Sequence, residues 1–299
     1  MATLGIDLGG TKIALGVLDG EELVYESRVA TPREGSEAVL QVMIAAAREA
    51  LAESPAPVRA IGVGTPGPID YESGVVIFAP NISNFANVAI VDALREALEL
   101  PVYIENDANA AALAEHHLGA ARGARHSFFV TVSTGIGGGL IVNDRVWRGS
   151  YGQAGEIGHV TVLAGGPLCG CGNRGCLEAV ASGRALARDA GYAFARPLST
   201  PELFELWRKG DEKARELVEG SAFYLGQALA DVQKLFDPQV IVVGGGVGVG
   251  GGPEYLELVR RYYARNLRGW RSAPVRPAEL LERAGVIGAA LAAEAESKS

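Results

Sequence analysis

The three cysteines of this 299-residue chain, Cys169, Cys171 and Cys176, lie within eight positions of one another, and His159 stands ten residues before the first. Three thiolates and one imidazole are the tetrahedral donor set that Zn²⁺ prefers, and the glycines of Cys-Gly-Cys-Gly-Asn-Arg-Gly-Cys let a loop fold tightly around an ion. Four protein ligands leave no open position for water, so the expected metal is structural. The alternative is a set of free or redox-active thiols. Complete disulfide pairing is excluded by the odd count. Two carboxylates would be anchored by such a metal: Glu156, three residues before His159, and Glu178, two after Cys176.

Three glycine-rich turns follow apolar, strand-like runs: Asp7-Leu8-Gly9-Gly10-Thr11-Lys12, Thr134-Gly135-Ile136-Gly137-Gly138-Gly139 and Gly244-Gly245-Gly246. Glycine at such places lets backbone N–H groups approach an anion with no Cβ in the way. One such turn is ordinary punctuation. Three in one chain, the first containing Asp, Thr and Lys, point to phosphate binding. Asp7 is then suited to hold Mg²⁺, directly or through water. Two literal matches to a dinucleotide fingerprint fail on context: Gly62-Val-Gly64-Thr-Pro-Gly67 runs into Pro68, and Gly246 to Gly251 is a glycine stretch closed near Pro253. No Gly-Lys-Ser/Thr sequence supports a Walker loop. Asp107, after Asn106 at a strand-to-helix junction, reads either as a helix N-cap or as a base for phosphoryl transfer, which asks only for a well-placed ionised carboxylate.

The elements that must carry these groups alternate. Strand-like runs at 4–8, 12–18 and 23–29 precede a helical pattern at 37–52. A strand at 59–64, a helix at 87–98, a strand at 101–104 and a helix at 108–118 follow. A second round has strands at 128–132 and 139–142 flanking the second glycine turn. Helices at 184–195, 201–209 and 214–236, a strand at 240–243, a helix at 254–266, a short strand near 275 and a closing helix at 286–295 complete it. This pattern predicts an α/β protein with two similar mixed-sheet lobes, residues 1–118 and 119–285, a cleft near 107–125, and a terminal helix at 286–297 packing back on the first lobe. Phe223 to Leu229 reads as core or as a dimer seam, and His116, His117 and His126 as solvated or capping residues. A hydrophobic share of 48%, a charged share of 21% and a net charge of −8 fit a soluble globular protein and argue against nucleic-acid binding. No leader or membrane-spanning run is visible, so cytoplasmic localisation with reduced thiols and no membrane partner is expected.

Taken together, the motifs resemble the ROK family of bacterial sugar kinases and repressors. Asp7-x-Gly9-Gly10-Thr11-Lys12 looks like the first phosphate motif and Glu105-Asn106-Asp107-Ala108-Asn109-Ala110 like the catalytic segment. Gly135-Ile-Gly137-Gly138-Gly139 through Gly155-Glu156-Ile157-Gly158-His159 is similar to the family signature, and Cys169-x-Cys171-Gly-x-x-Gly175-Cys176-x-Glu178 to the zinc motif. The likeness spans nearly the whole chain, in the family's order. It implies a two-lobed actin-like, ribonuclease-H-like ATPase fold with mixed sheets and a cleft between lobes, and a homo-oligomer, dimer or tetramer. It also implies Asp107 as general base, with Gly64, Asn81, Asn106, Asp107, Glu156, His159 and Glu178 around a hexose. Asp7, Gly9, Gly10, Thr11, Lys12, Thr134, Gly135, Gly137 and Gly138 would take ATP phosphates and Mg²⁺, and Gly244, Gly245 and Gly246 the adenosine. Structural Zn²⁺ would bind His159, Cys169, Cys171 and Cys176. The implied activity is ATP-dependent phosphorylation of the glucose 6-hydroxyl. Alternatives are kinases for fructose, N-acetylmannosamine or N-acetylglucosamine, and a sugar-sensing repressor, whose DNA-binding domain has no room ahead of a strand starting at residue 4.

Overall fold

A computed structural model describes residues 2–297. The chain forms two compact units: Met1–Leu118 with Arg145–Ala154 and Glu282–Ser299, and Gly119–Asp144 with Gly155–Leu281. Arg145–Ala154, which lies inside the second lobe of the sequence expectation, groups with the first unit.

The first unit is built on a mixed sheet. Ala2–Leu8 pairs antiparallel with Lys12–Asp19, which pairs antiparallel with Glu22–Ala30. On its other side Ala2–Leu8 runs parallel to Val58–Thr65, and that strand parallel to Val102–Asn106. Alternation decides the two faces of the central strand. Leu4, Ile6 and Leu8 join a buried cluster with Val39 and Met43 of the helix Ser36–Glu53. Gly5 and Asp7 face the closing helix Ala284–Ser297. That helix is nearly all small and apolar, with Ala289, Ala290 and Ala293 fully buried. Its backbone comes so near the sheet that a Cβ on Gly5 would overlap the Val286 carbonyl and one on Gly62 the Ala289 carbonyl. Close packing of this kind needs glycine on the strand and alanine on the helix, because side-chain bulk on either would push the layers apart.

A small antiparallel sheet, Ile69–Asp70, Val75–Phe78 and Ala86–Val88, was not anticipated. The helix expected from residue 87 starts instead at Ile90, because Ala86 and Val88 pair with Phe78 and Val76. His116, expected to be solvated or a cap, is 2% exposed.

The second unit repeats the plan. His126–Val132 pairs antiparallel with Ile136–Val142 and parallel with Val240–Gly244, which pairs parallel with Val275–Pro277. The helices Gly183–Phe194, Thr200–Arg208, Glu212–Phe236 and Gly252–Asn266 pack around it. Thr200–Arg208 opens on a reciprocal Ser199/Glu202 capping box with Pro201 in its first turn, the local signal that starts a helix there. Leu225, Ala228 and Leu229 belong to the core, so the apolar run at 223–229 is chiefly interior. Among the described residues no helix is long and apolar enough to cross a membrane.

Candidate active site and metal centre

In the first unit, register carries the expected residues to one end of the parallel strands. Asp7 pairs with Gly64, Gly64 with Glu105 and Thr65 with Asn106. Beyond Asp7 the chain turns tightly: the Gly9 amide donates to the Lys12 carbonyl at 3.0 Å, and Thr31 Oγ1 donates to the Gly9 carbonyl at 2.7 Å. A Cβ on Gly10 would stand 2.5 Å from the Asn81 carbonyl oxygen, so this turn and Asn81 are in contact. Thr11, Lys12 and Asn81 are exposed. Lys12 Nζ lies 3.2 Å from Glu282 Oε2, which also accepts from Arg28 at 2.7 Å. Gly64 is buried, yet an added Cβ would find only ordinary neighbours, the nearest Ala110 Cβ at 3.7 Å.

Asn106 caps the helix Asp107–His117, its side chain accepting from the amides of Ala108 and Asn109. The two readings of Asp107 are thereby separated. Asn106 holds the N-cap position, and Asp107 is the first helical residue, its Oδ1 taking the Ala108 amide at 2.8 Å. Asp107 as a residue is exposed, although protein crowds its carboxylate. That crowding raises its pKa above the ordinary carboxylate value, against the amides of Ala108 and of Asp107 itself. Burial, then the charge of Asp107, push Asp7 up to about 6, with Lys12 opposing. Asp7 therefore lies within electrostatic reach of Asp107. A Cβ on Gly285, at the start of the closing helix, would lie 2.5 Å from Asp7 Oδ2.

In the second unit the residues around Thr134 form a narrow turn, closed by the Ser133 amide on the Gly135 carbonyl at 2.9 Å. The amides of Gly183 and Arg184 donate to the carbonyls of Ser133 and Thr134. Gly137 and Gly138 are not loop residues: they pair with Thr131 and Val130 within Ile136–Val142, a strand that begins three residues before its expected start. Gly138 is explained by packing, since its Cβ would meet the Gly155 carbonyl at 2.7 Å. Gly244 ends its strand opposite Thr131, and Gly245–Gly248 forms a short helix where an open loop was expected. Glu178 Oε2 accepts from the Ile136 amide at 3.0 Å, and its Oε1 from Arg184 at 3.1 Å.

The four metal-ligand candidates come together. One donor atom from each of His159, Cys169, Cys171 and Cys176 lies within 4.8 Å of all the others. Cys169 Sγ is 3.6 Å from His159 Nδ1, and Cys171 Sγ is 3.7 Å from Cys176 Sγ. Zn–S bonds of about 2.3 Å give tetrahedral edges of about 3.8 Å, whereas a disulfide needs about 2.05 Å. The residues fit a zinc ion and do not form a disulfide. The loop is shaped by hydrogen bonds from the Cys169 amide to the Asn173 carbonyl at 2.8 Å and from the Gly172 amide to the Cys169 carbonyl at 3.0 Å. At Gly175 φ is +70° and a Cβ would overlap the Leu163 carbonyl, so no other residue fits. Cys176 immediately precedes the helix Leu177–Ala181 that carries Glu178. His159 Nε2 stands 4.0 Å from Glu156 Oε2, so one ring nitrogen faces the thiols and the other a carboxylate.

Sequence reasoning missed a group beside Asp107. Glu105 is fully buried and is held by Tyr71, Asn109 and Arg148. A charge at a buried strand end demands a partner, which was the available signal, but its identity depends on residues 34 and 43 positions away.

The ROK family model matches residues 3–296. A glucokinase of Streptomyces coelicolor is 37% identical, covering 96% of each chain. An N-acetylmannosamine kinase of Haemophilus influenzae is 36% identical, covering 97% of this chain and 94% of its own. Among solved structures, a ROK hexokinase from Thermus thermophilus superposes with a TM-score of 0.95 at 53% identity, covering 100% of this chain and 99% of that one. The α/β fold with mixed sheets, expected as the actin-like kinase fold, is thus the fold of solved ROK enzymes. With the family match running almost from end to end, and the turn at Gly9 to Lys12, the Asn106–Asp107 junction and the His/Cys cluster in place, the chain belongs to the ROK family.

Proposed function

We propose that this chain is an ATP-dependent sugar kinase that phosphorylates the 6-hydroxyl of glucose, with Asp107 as general base. The observation that carries the reading is the Asp7–Asp107 pair. Asp7 lies near the end of one strand and Asp107 just beyond another strand of the same mixed sheet, close enough for the charge of Asp107 to raise the Asp7 pKa, beside a glycine turn and Lys12. Phosphoryl transfer needs a base at the acceptor oxygen and cationic help at the phosphates, and little covalent work from the protein. The glucokinase relative supports glucose as acceptor.

In this reading Gly64, Asn81, Asn106, Asp107, Glu156, His159 and Glu178 are the sugar-binding residues. The donor phosphates lie against Gly9, Gly10, Thr11 and Lys12 and against Thr134, Gly135, Gly137 and Gly138, with adenosine at Gly244, Gly245 and Gly246. Asp107 accepts the hydroxyl proton as the sugar oxygen bonds to the γ-phosphorus. The bond from that phosphorus to the β–γ bridging oxygen breaks, giving ADP and the sugar 6-phosphate. Mg²⁺, when bound through Asp7, supplies neutralisation of charge on the phosphate oxygens. The crowding that raises the Asp107 pKa makes its carboxylate a better proton acceptor. Zn²⁺ at His159, Cys169, Cys171 and Cys176 would fix the segments bearing Glu156 and Glu178.

A coupled ADP-release assay tests the reading. Asp107→Asn is expected to lower kcat by roughly 10²- to 10⁴-fold with ATP binding retained; wild-type turnover would eliminate the base. The N-acetylmannosamine kinase relative favours a second acceptor. A panel of glucose, fructose, N-acetylmannosamine and N-acetylglucosamine decides between them by kcat/KM.

A further inference from the structure

We propose that Arg148 is a positioning residue for Asp107, acting through the buried carboxylate of Glu105. The proposal rests on the assignment of Asp107 as base. Arg148 belongs to Arg145–Ala154, the segment that groups with the first unit. Its Nε donates to Glu105 Oε2 at 2.8 Å, and its Nη1 to Glu296 Oε1 at 2.9 Å. Its guanidinium lies over the Tyr71 ring, 4.8 Å from the centroid. One side chain thus joins the closing helix, the small sheet region and the strand that ends at Asn106.

The second oxygen of Glu105 explains why this matters at the site. Oε1 accepts from the Asn106 amide at 2.9 Å, from Tyr71 Oη at 2.7 Å and from Asn109 Nδ2 at 3.1 Å. Asn106 is the N-cap and Asn109 lies in the first turn, so Glu105 grips the helix start on both sides of Asp107. Asn109 keeps its amide on Glu105 while its own buried Oδ1 has no hydrogen-bond partner. Turning the amide over would set two acceptors against each other. The arrangement is therefore organised around the acceptor oxygens of Glu105, Oε1 taking three donors and Oε2 the guanidinium, and a carboxyl group buried there needs such partners at close range. Arg148 is one of them, with a planar fork that reaches Glu105 and Glu296 at once and stacks on Tyr71, which a lysine does not reproduce.

Without Arg148, Glu105 Oε2 loses its donor and the side chain is left to rotate or draw in water. Either change loosens the Asn106 amide and the capping turn. Displacement of a base by about 1 Å costs up to about 100-fold in rate, so the effect should fall on kcat and leave nucleotide binding intact.

The experiment is a double-mutant cycle in full-length enzyme, with kcat and KM for sugar and ATP measured by coupled assay. Arg148→Met is expected to lower kcat about 10- to 100-fold, with KM for ATP changed less than about 3-fold. Arg148→Lys should restore part of the loss. In an Asp107→Asn background, Arg148→Met should lower the residual turnover by less than about 3-fold, because the residue to be positioned is gone. A full-sized loss in that background, or wild-type kcat for Arg148→Met alone, overturns the proposal. Wild-type turnover of Asp107→Asn alone overturns the base assignment instead, so the two failures are distinguishable. Should Arg148→Met fail to fold, Glu105→Gln and Tyr71→Phe carry the same cycle, with a kcat loss that disappears in the Asp107→Asn background.

Discussion

Replacement of Asp7 by asparagine should stabilise the protein while removing its activity, and the gain should depend on pH in a defined direction. Burial, and secondarily the charge of Asp107, raise Asp7 from 3.8 to about 6 in the native state. The native state therefore holds this proton more tightly than the unfolded chain. The stability linked to it is complete below 3.8 and is lost as pH rises through about 6. At pH 8 the wild type carries the whole cost of an ionised, crowded carboxylate, and at pH 4 only a small part of it. A pKa difference of about 2 corresponds to about 3 kcal/mol, a ceiling because water reaching the partly exposed oxygens screens part of it. Asparagine keeps the shape of the protonated acid. Asp7→Asn is expected to gain up to about 3 kcal/mol at pH 8, several degrees in Tm, and only about 0.5 kcal/mol near pH 4. The assay is paired thermal and urea unfolding at pH 8, 6 and 4 in magnesium-free buffer, since a bound cation would offset the penalty. Equal or lower stability of Asp7→Asn at pH 8, or a gain that does not shrink on acidification, would refute the reasoning. Asp107→Asn should lower the midpoint of the Asp7 titration in magnesium-free protein.

Four further outcomes follow from the geometry. Gly62→Ala should destabilise by about 3 kcal/mol or more, because its Cβ overlaps the Ala289 carbonyl. Gly64→Ala, with its nearest new neighbour at 3.7 Å, should change stability by less than about 1 kcal/mol yet raise KM for the sugar. Denaturant melts and sugar titrations check the pair, and a destabilised Gly64→Ala with normal KM contradicts the sugar contact. Chelation, or Cys176→Ser, should release one zinc per chain by metal analysis and lower sugar affinity together with Tm; unchanged sugar binding in zinc-free protein would separate the metal from the site. Thr31→Val deletes the hydroxyl donor to the Gly9 carbonyl, and should raise KM for ATP several-fold at a stability cost of about 1 kcal/mol. An unaltered KM for ATP would mean that the turn needs no such brace.

Much of this protein is local, and the local part was readable. Zinc ligation depends on donor type and short spacing, so His159, Cys169, Cys171 and Cys176 could be grouped before any fold was known, and the structure brings them within reach of one ion. Helix and strand periodicity, the turn at Gly9 to Lys12 and the strand-to-helix junction at 106–107 are likewise set by neighbours a few residues apart, although the cap is Asn106 and not Asp107. What required the tertiary structure was partner choice over long separations. Glycines at 5, 62 and 138 look alike in sequence to the one at 9, whose close neighbour is the Lys12 carbonyl of its own turn, yet the first three answer to a closing helix or a facing carbonyl, surfaces that exist only once the layers pack. Arg148 reads as one more surface arginine until folding sets it against Glu105, Tyr71 and Glu296, 43, 77 and 148 positions away. A buried charge announces that it needs a counter-charge, but which residue answers is decided by the assembled fold.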